Sequence, residues 1–145
     1  MKDSSLTKSI SYKDFKKEVL NDYKTIVISR EASLLGRKEV LSGKAKFGIF
    51  GDGKELPQVA MSKVFEKGDF RSGYYRDQTF MFSIKELSVE QFFAGLYANT
   101  NFDEEPMSGG RQMGSHFSTV LVDENGEFKD LPNQYNISSD ISPTS

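Results

Sequence analysis

The sequence predicts a mainly α-helical chain with long loops and little sheet. Three observations carry this expectation. Apolar residues from Phe15 to Leu41 recur near the 3.6-residue helical period. Ser88-Val-Glu-Gln91 forms a capping box directly ahead of a second periodic run. Between such runs lie polar, glycine-rich stretches at 44–53 and 99–115 that fit neither helix nor strand.

Along the chain, residues 1–10 read as a polar leader. Ser11 is a good N-cap, and Phe15, Val19, Tyr23, Ile26 and Val27 then place one apolar face on a helix. The pattern continues through Ile28, Leu34, Leu35, Val40 and Leu41 to Gly43, as one long helix or as two with a break near Gly36. After the loop at 44–53, Pro57 suits a first helical turn, with Leu56, Val59, Ala60, Val64 and Phe65 on one face and Gly68-Asp69 as the stop. Tyr74, Tyr75, Phe80, Phe82 and Ile84 fit a strand or a short helix, and helix is favoured after Arg76. Val89, Phe92, Phe93, Leu96 and Tyr97 form the stripe of the capped helix. Residues 119–122 and 127–129 flank Asn125-Gly126 as a candidate hairpin.

Composition excludes several function classes. There are no cysteines among the 145 residues, so disulfides, cysteine–zinc sites and thiol catalysis are ruled out. The sole histidine, His116, rules out multi-histidine metal sites. No stretch approaches the roughly 18 apolar residues of a membrane helix, and the polar N-terminus lacks a signal-peptide core. A cytoplasmic protein with no membrane contact is expected. Residues 1–46 hold 11 Lys/Arg against 6 Asp/Glu, a net +5, while the remainder holds 8 against 15, a net −7. A nucleic-acid-binding arm would explain the basic part, but the signs are mixed at helical spacing, which favours a solvated helix face.

Three segments are candidates for chemistry. Gly51-Asp-Gly53 has the opening of a metal–diphosphate motif but no asparagine follows at the needed distance, so a plain turn is favoured. In Tyr74-Tyr-Arg-Asp77, an arginine at a helix start between aromatics suits a diphosphate through charge-assisted hydrogen bonds. The alternative is an ordinary Arg–Asp pair beside core tyrosines. The loop Ser108–Phe117 couples flexible backbone to Arg111, Gln112 and His116. His116 could act as acid, base or hydrogen-bond donor near neutral pH, or be a structural hydrogen-bonding residue.

Taken in order, these segments resemble the N-terminal part of a thiamine-diphosphate-dependent 2-oxoacid dehydrogenase E1 component. The likeness is to its α-subunit or α/β-fused type, and within that to the branched-chain (2-oxoisovalerate) enzymes. The matching blocks are Ile28-Ser-Arg-Glu31, Gly53-Lys-Glu-Leu-Pro-Gln-Val-Ala60, Tyr74-Tyr-Arg-Asp77, Gly110-Arg-Gln-Met113 with His116-Phe117, and Ile141-Ser-Pro-Thr144. They cover nearly everything from about residue 20 onward. Threonine stands at 144 where the family has leucine, and Gly114 where it has proline.

The resemblance implies an α/β thiamine-diphosphate-binding fold in the parent, of which residues 11–145 would be the helical N-terminal part of one domain. It implies thiamine diphosphate bound by Tyr75 and Arg76, with Ser142 and Thr144 lining the thiamine end. Arg111 would lie by the substrate channel, and His116 would be the catalytic candidate. Mg²⁺ would be held by a Gly-Asp-Gly…Asn segment beyond residue 145, so that this chain is truncated before the metal ligands and inactive alone. The implied reaction is decarboxylation of a 2-oxoacid followed by acylation of a lipoyl group. The implied partners are an E1 β-subunit or fused β-half, a lipoyl-bearing E2 acyltransferase and further copies in a homo-oligomer, with no nucleic acid. Rival readings are another thiamine enzyme (pyruvate or acetoin dehydrogenase E1, transketolase) or a non-catalytic helical interaction module.

Overall fold

A computed structural model describes residues 10–112 and 116–138. The first helix begins where expected. Ser11 is extended (φ −66°, ψ 149°), and its hydroxyl accepts from Asp14 N at 3.2 Å, satisfying one of the orphan amides of the first turn. Helix α1 then runs over Tyr12–Leu41 without interruption, about 45 Å long at 1.5 Å per residue. Of the two readings of this segment, the single helix is the one found. It stops where Gly43 takes a φ of 78° and the amides of Ser42, Gly43 and Lys44 turn back to carbonyls of the last turn.

The face that α1 buries differs from the one its apolar pattern predicts. Ser29, Ala32, Ser33, Gly36 and Glu39 are buried. Phe15, Val19, Tyr23, Val27, Leu34, Leu35 and Leu41 are 38–81% exposed. The reason is close approach. Short side chains at 29, 32, 33 and 36 let other segments come against the helix backbone, and a Cβ at Gly36 would fall within 2.8 Å of Phe50 Cζ. Leucine on this face would hold those segments off.

Helix α2 spans Glu55–Ser62, shorter than the expected run to Gly68. Here too the buried side is partly polar: Glu55, Gln58 and Val59 are inside, while Leu56 is 70% and Val64 76% exposed. Phe65 does reach the core, edge-on to Phe80 at 5.2 Å and stacked on Tyr135 at 5.6 Å. Helix α3, Gln78–Ser83, follows Arg76 as the sequence suggests. Helix α4, Val89–Leu96, carries the capping box: Ser88 Oγ accepts from Gln91 N, and Gln91 Oε1 accepts from Ser88 N.

Sheet is limited to two short strands, β1 (Phe70–Ser72) and β2 (Asn136–Ser138), paired in parallel with Phe70 opposite Asn136. A 3₁₀ turn at Leu131–Asn133 leads into β2. The expected hairpin is reduced to a turn closed by one antiparallel bridge, Val122 to Phe128, with Asp123 Oδ1 accepting from the amides of Asn125 and Glu127. The chain is thus mainly helical with little sheet. Phe50, Phe80, Met81, Leu87, Phe92, Leu96, Phe117 and Ile137 form the core between α1, α3, α4 and β2.

Candidate functional site

The segment Tyr74–Asp77 is a tight turn between β1 and α3. The Asp77 carboxylate closes it, accepting from Tyr74 N and from the Arg71 guanidinium, each at 2.7 Å. Arg76 is therefore not in the ordinary Arg–Asp pair: Arg71 has taken that aspartate. Arg76 Nη2 instead donates to the Tyr75 hydroxyl at 2.7 Å, with the guanidinium 5.0 Å from the Tyr75 ring centroid and 5.7 Å from that of Tyr74. The two tyrosine rings lie 4.1 Å apart. The two rings and the Tyr75 hydroxyl thus hold the guanidinium beside aromatic surface, where a cation is favoured.

The backbone of Arg76 is fixed from two sides. Gln58 Nε2 donates to Arg76 O at 2.9 Å, and its Oε1 accepts from Phe80 N at 2.9 Å, so one amide of α2 clamps the entry to α3. On the other side lies Gly51, where a Cβ would sit 2.5 Å from Arg76 O. Gln78, fully buried, ties the turn to α1: its Nε2 donates to Ser29 O at 3.0 Å and Ser33 Oγ at 2.7 Å, and its Oε1 accepts from Gly51 N at 3.4 Å. Thr79 adds a hydroxyl pair with Ser29 at 2.6 Å.

Arg76 lines a cavity of about 420 Å³ with Arg37, Phe50, Asp52 and Lys54 among its other walls. Asp52 of the Gly51-Asp-Gly53 turn is paired with Arg37 at 2.6 Å. Nearby, Glu55 receives two hydrogen bonds from Arg30, at 2.6 and 3.0 Å, and the Gly53 N–H is shared between its two oxygens. The Arg30 hydrogen bond holds the Glu55 carboxyl below its ordinary range, against burial and with help from the Gly53 amide.

The second candidate segment is built on one carboxylate. Glu105 is 3% exposed and accepts from the amides of Met107, Ser108 and Gly110 and from Ser108 Oγ, at 2.8–3.0 Å. Burial pushes this carboxyl up, but the Gly110 and Ser108 hydrogen bonds outweigh it, so its pKa lies below the ordinary value. Arg111 stands outward on this loop, its guanidinium 5.0 Å from the Phe102 ring centroid. His116 is half-buried and lines a small recess with Phe92, Glu105, Ser108 and Gln112.

Arg76 and His116 thus line separate cavities, yet their segments meet at Gly73. Its amide donates to Ser138 O at 2.6 Å, and a Cβ there would lie 3.5 Å from Phe117 O. The end of β2 and the His116-Phe117 segment both come against the residue that precedes Tyr74. Ser142 and Thr144 lie outside the described residues, as do Met113, Gly114 and Ser115. Among the described residues no cluster of three or more His, Asp or Glu could hold a metal ion, and no helix is long and apolar enough to cross a membrane.

Sequence reasoning gave no role to Gln58, Gln78, Glu55 and Glu105, which position the site: Glu55 and Gln58 fall within the Gly53–Ala60 block, while Gln78 and Glu105 belong to no motif. The nearest signal was the spacing of Ser29, Ser33 and Gly36, small residues that repeat on one helical face. Residues 23–134, more than three quarters of the chain, match the family model described as "Dehydrogenase E1 component". A comparison with curated proteins returns no match.

Proposed function

The chain belongs to the dehydrogenase E1 component family, and we propose that it forms one wall of the thiamine diphosphate site of a 2-oxoacid dehydrogenase E1 component. That family depends on thiamine diphosphate. The donor set here fits the diphosphate: a guanidinium with no carboxylate partner among the described residues, a phenol hydroxyl beside it, and a cavity that both borders basic residues and is walled by Phe50. The observation that carries the reading is that Arg71, not Arg76, neutralises Asp77. This leaves the Arg76 charge facing the cavity.

In this reading Arg76 meets the diphosphate through charge-assisted hydrogen bonds, and Tyr75 holds the guanidinium in plane for it. When bound, thiamine diphosphate supplies the carbon nucleophile and the electron sink for decarboxylating the 2-oxoacid. Gln58 and Gln78 keep the Arg76 turn from shifting, which matters because misplacement of a binding group by about 1 Å can cost 10²-fold in rate. Ser142 and Thr144 would approach the thiamine end. Ser142 lies four steps along the chain from Ser138, which allows at most about 14 Å between them, and Ser138 is hydrogen-bonded to Gly73. Arg111 would face the substrate channel and His116 would hold or donate a proton at its imidazole near the substrate.

The finer reading is a branched-chain 2-oxoacid as substrate, with the acyl group passed to the lipoyl group of an E2 acyltransferase. A β-subunit or fused β-half would complete the site, in a cytoplasmic homo-oligomeric assembly. Mg²⁺ would be bound by ligands outside residues 1–145. Replacing Arg76 by alanine in the assembled enzyme is expected to weaken thiamine diphosphate binding by about 1.5–3 kcal/mol, the range for hydrogen bonds to charged groups. Lysine should rescue only in part, since it lacks the planar fork. Unchanged affinity of the alanine variant, measured calorimetrically, would remove the assignment.

A further inference from the structure

Around the Arg76 cavity most charges are already matched. Arg37 neutralises Asp52, Arg71 neutralises Asp77 and Arg30 neutralises Glu55. Two cations on the cavity wall, Arg76 and Lys54, enter no ion pair among the described residues. Like charges left facing one cavity disfavour each other and favour an anion between them.

Lys54 is also carried on a well-held piece of backbone. Its amide donates to Gly51 O at 3.0 Å, closing the Gly51–Lys54 turn. Gly51 lies directly on Arg76 O, a place where any side chain would collide. Gln78 accepts from Gly51 N, and both Glu55 oxygens accept from Gly53 N at 3.1 and 3.0 Å. The turn that bears Lys54 and the turn that bears Arg76 are thus packed as one unit, while the Lys54 side chain is exposed and free to reach.

We propose that Lys54 is a second phosphate-binding residue of this site, sharing the diphosphate with Arg76. This rests on the reading that Arg76 meets the diphosphate. Arginine offers a planar fork to one phosphate, and lysine a compact charge to the other. The pairing of Asp52 with Arg37 is part of the device, since a bare carboxylate there would repel the ligand. The cavity would then select diphosphates over singly phosphorylated or unphosphorylated thiamine, because only a diphosphate engages both cations.

The test is calorimetric titration of the assembled enzyme with thiamine diphosphate, thiamine monophosphate and inorganic pyrophosphate. Lys54→Ala is expected to lose roughly tenfold in affinity for thiamine diphosphate and pyrophosphate, the factor for one charge-assisted contact, and clearly less for the monophosphate. Lys54→Arg should keep most of the affinity. If Lys54→Ala binds like the parent while Arg76→Ala is impaired, the Lys54 role is wrong and the Arg76 reading stands. If neither substitution changes binding, the Arg76 reading falls as well. Equal losses for all three ligands would mean general damage to the site, and would also overturn the Lys54 role.

Discussion

The Arg76 turn and the Glu105 loop are both held by buried polar groups, but the two are tied down over very different distances in sequence. Around Arg76, Gln78 reaches Ser29 and Ser33 on α1, and Gln58 reaches Arg76 and Phe80. Arg30 reaches Glu55 in the same way. These bonds link three helices, so the turn is only as loose as the whole packed unit. Around Glu105, every partner of the carboxylate among the described residues lies within five residues. The polar ties of that loop are local, and its longer-range links are the packing of Met107 on the core and the Ser118 N–H donated to the Met107 sulfur. The diphosphate contact proposed for Arg76 would need a fixed cation, and the first region holds its arginine in that way. A loop proposed to border the substrate would tolerate more local adjustment, as the second region does.

The comparison breaks first at Gln78. Gln78→Ala would leave buried hydroxyls and a carbonyl on α1 without their donor, with a cavity beside them. A loss of about 3 kcal/mol in unfolding free energy is expected, at the upper end for single buried polar groups. Urea unfolding checks this, and a loss below about 1 kcal/mol would mean that α1 and α3 do not depend on the amide. Gly36→Ala tests the same contact by volume. The added methyl meets the Phe50 ring, so about 1–3 kcal/mol should be lost by overpacking, seen as a lower Tm.

Glu105→Gln should act locally. It keeps the shape, but one oxygen becomes an NH2 that cannot accept. At least the Met107 amide then loses its acceptor and the bonds to the remaining oxygen lose their charge, for about 1–2 kcal/mol. Faster hydrogen exchange should be confined to Met107, Ser108 and Gly110, with the amides of α3 unchanged. The pH dependence has a definite sign. Folding holds the Glu105 carboxyl below its ordinary value of 4.5. Its contribution is therefore present above that value and lost as pH falls through the lower folded pKa. The glutamine variant should lose part of the acid-limb slope of stability against pH, and an unchanged slope would contradict the role given to this carboxylate. The smallest effect belongs to Lys63, which pairs with Glu18 and Asp22 at the surface. Lys63→Ala should cost no more than about 1 kcal/mol, and less in high salt.

What could be read from the sequence was what is encoded locally. The Ser11 cap, the Ser88–Gln91 capping box and the helix after Arg76 depend on residues within one or two turns, and all three are found. The β1–β2 pair joins residues 66 apart and has no local signature. Hydrophobic periodicity misled on α1 and α2, because the sides they bury carry serine, glutamine and glutamate matched by distant partners. The Tyr-Arg-Asp block pointed to Arg76, but the fold brings Arg71, six residues back, onto Asp77 instead. Lys54 sits in a matching block as an unremarkable lysine, and only the docking of Gly51 on Arg76 brings its turn to the site.

The most direct measurement is a crystal structure of the assembled enzyme with thiamine diphosphate bound, read at the Arg76 guanidinium. Nitrogen–oxygen distances of about 2.7–2.9 Å to the diphosphate, with Tyr75 still accepting from Arg76, are the expected result. A diphosphate held elsewhere, with Arg76 still turned onto Tyr75 and no phosphate oxygen within hydrogen-bond reach, would contradict the account.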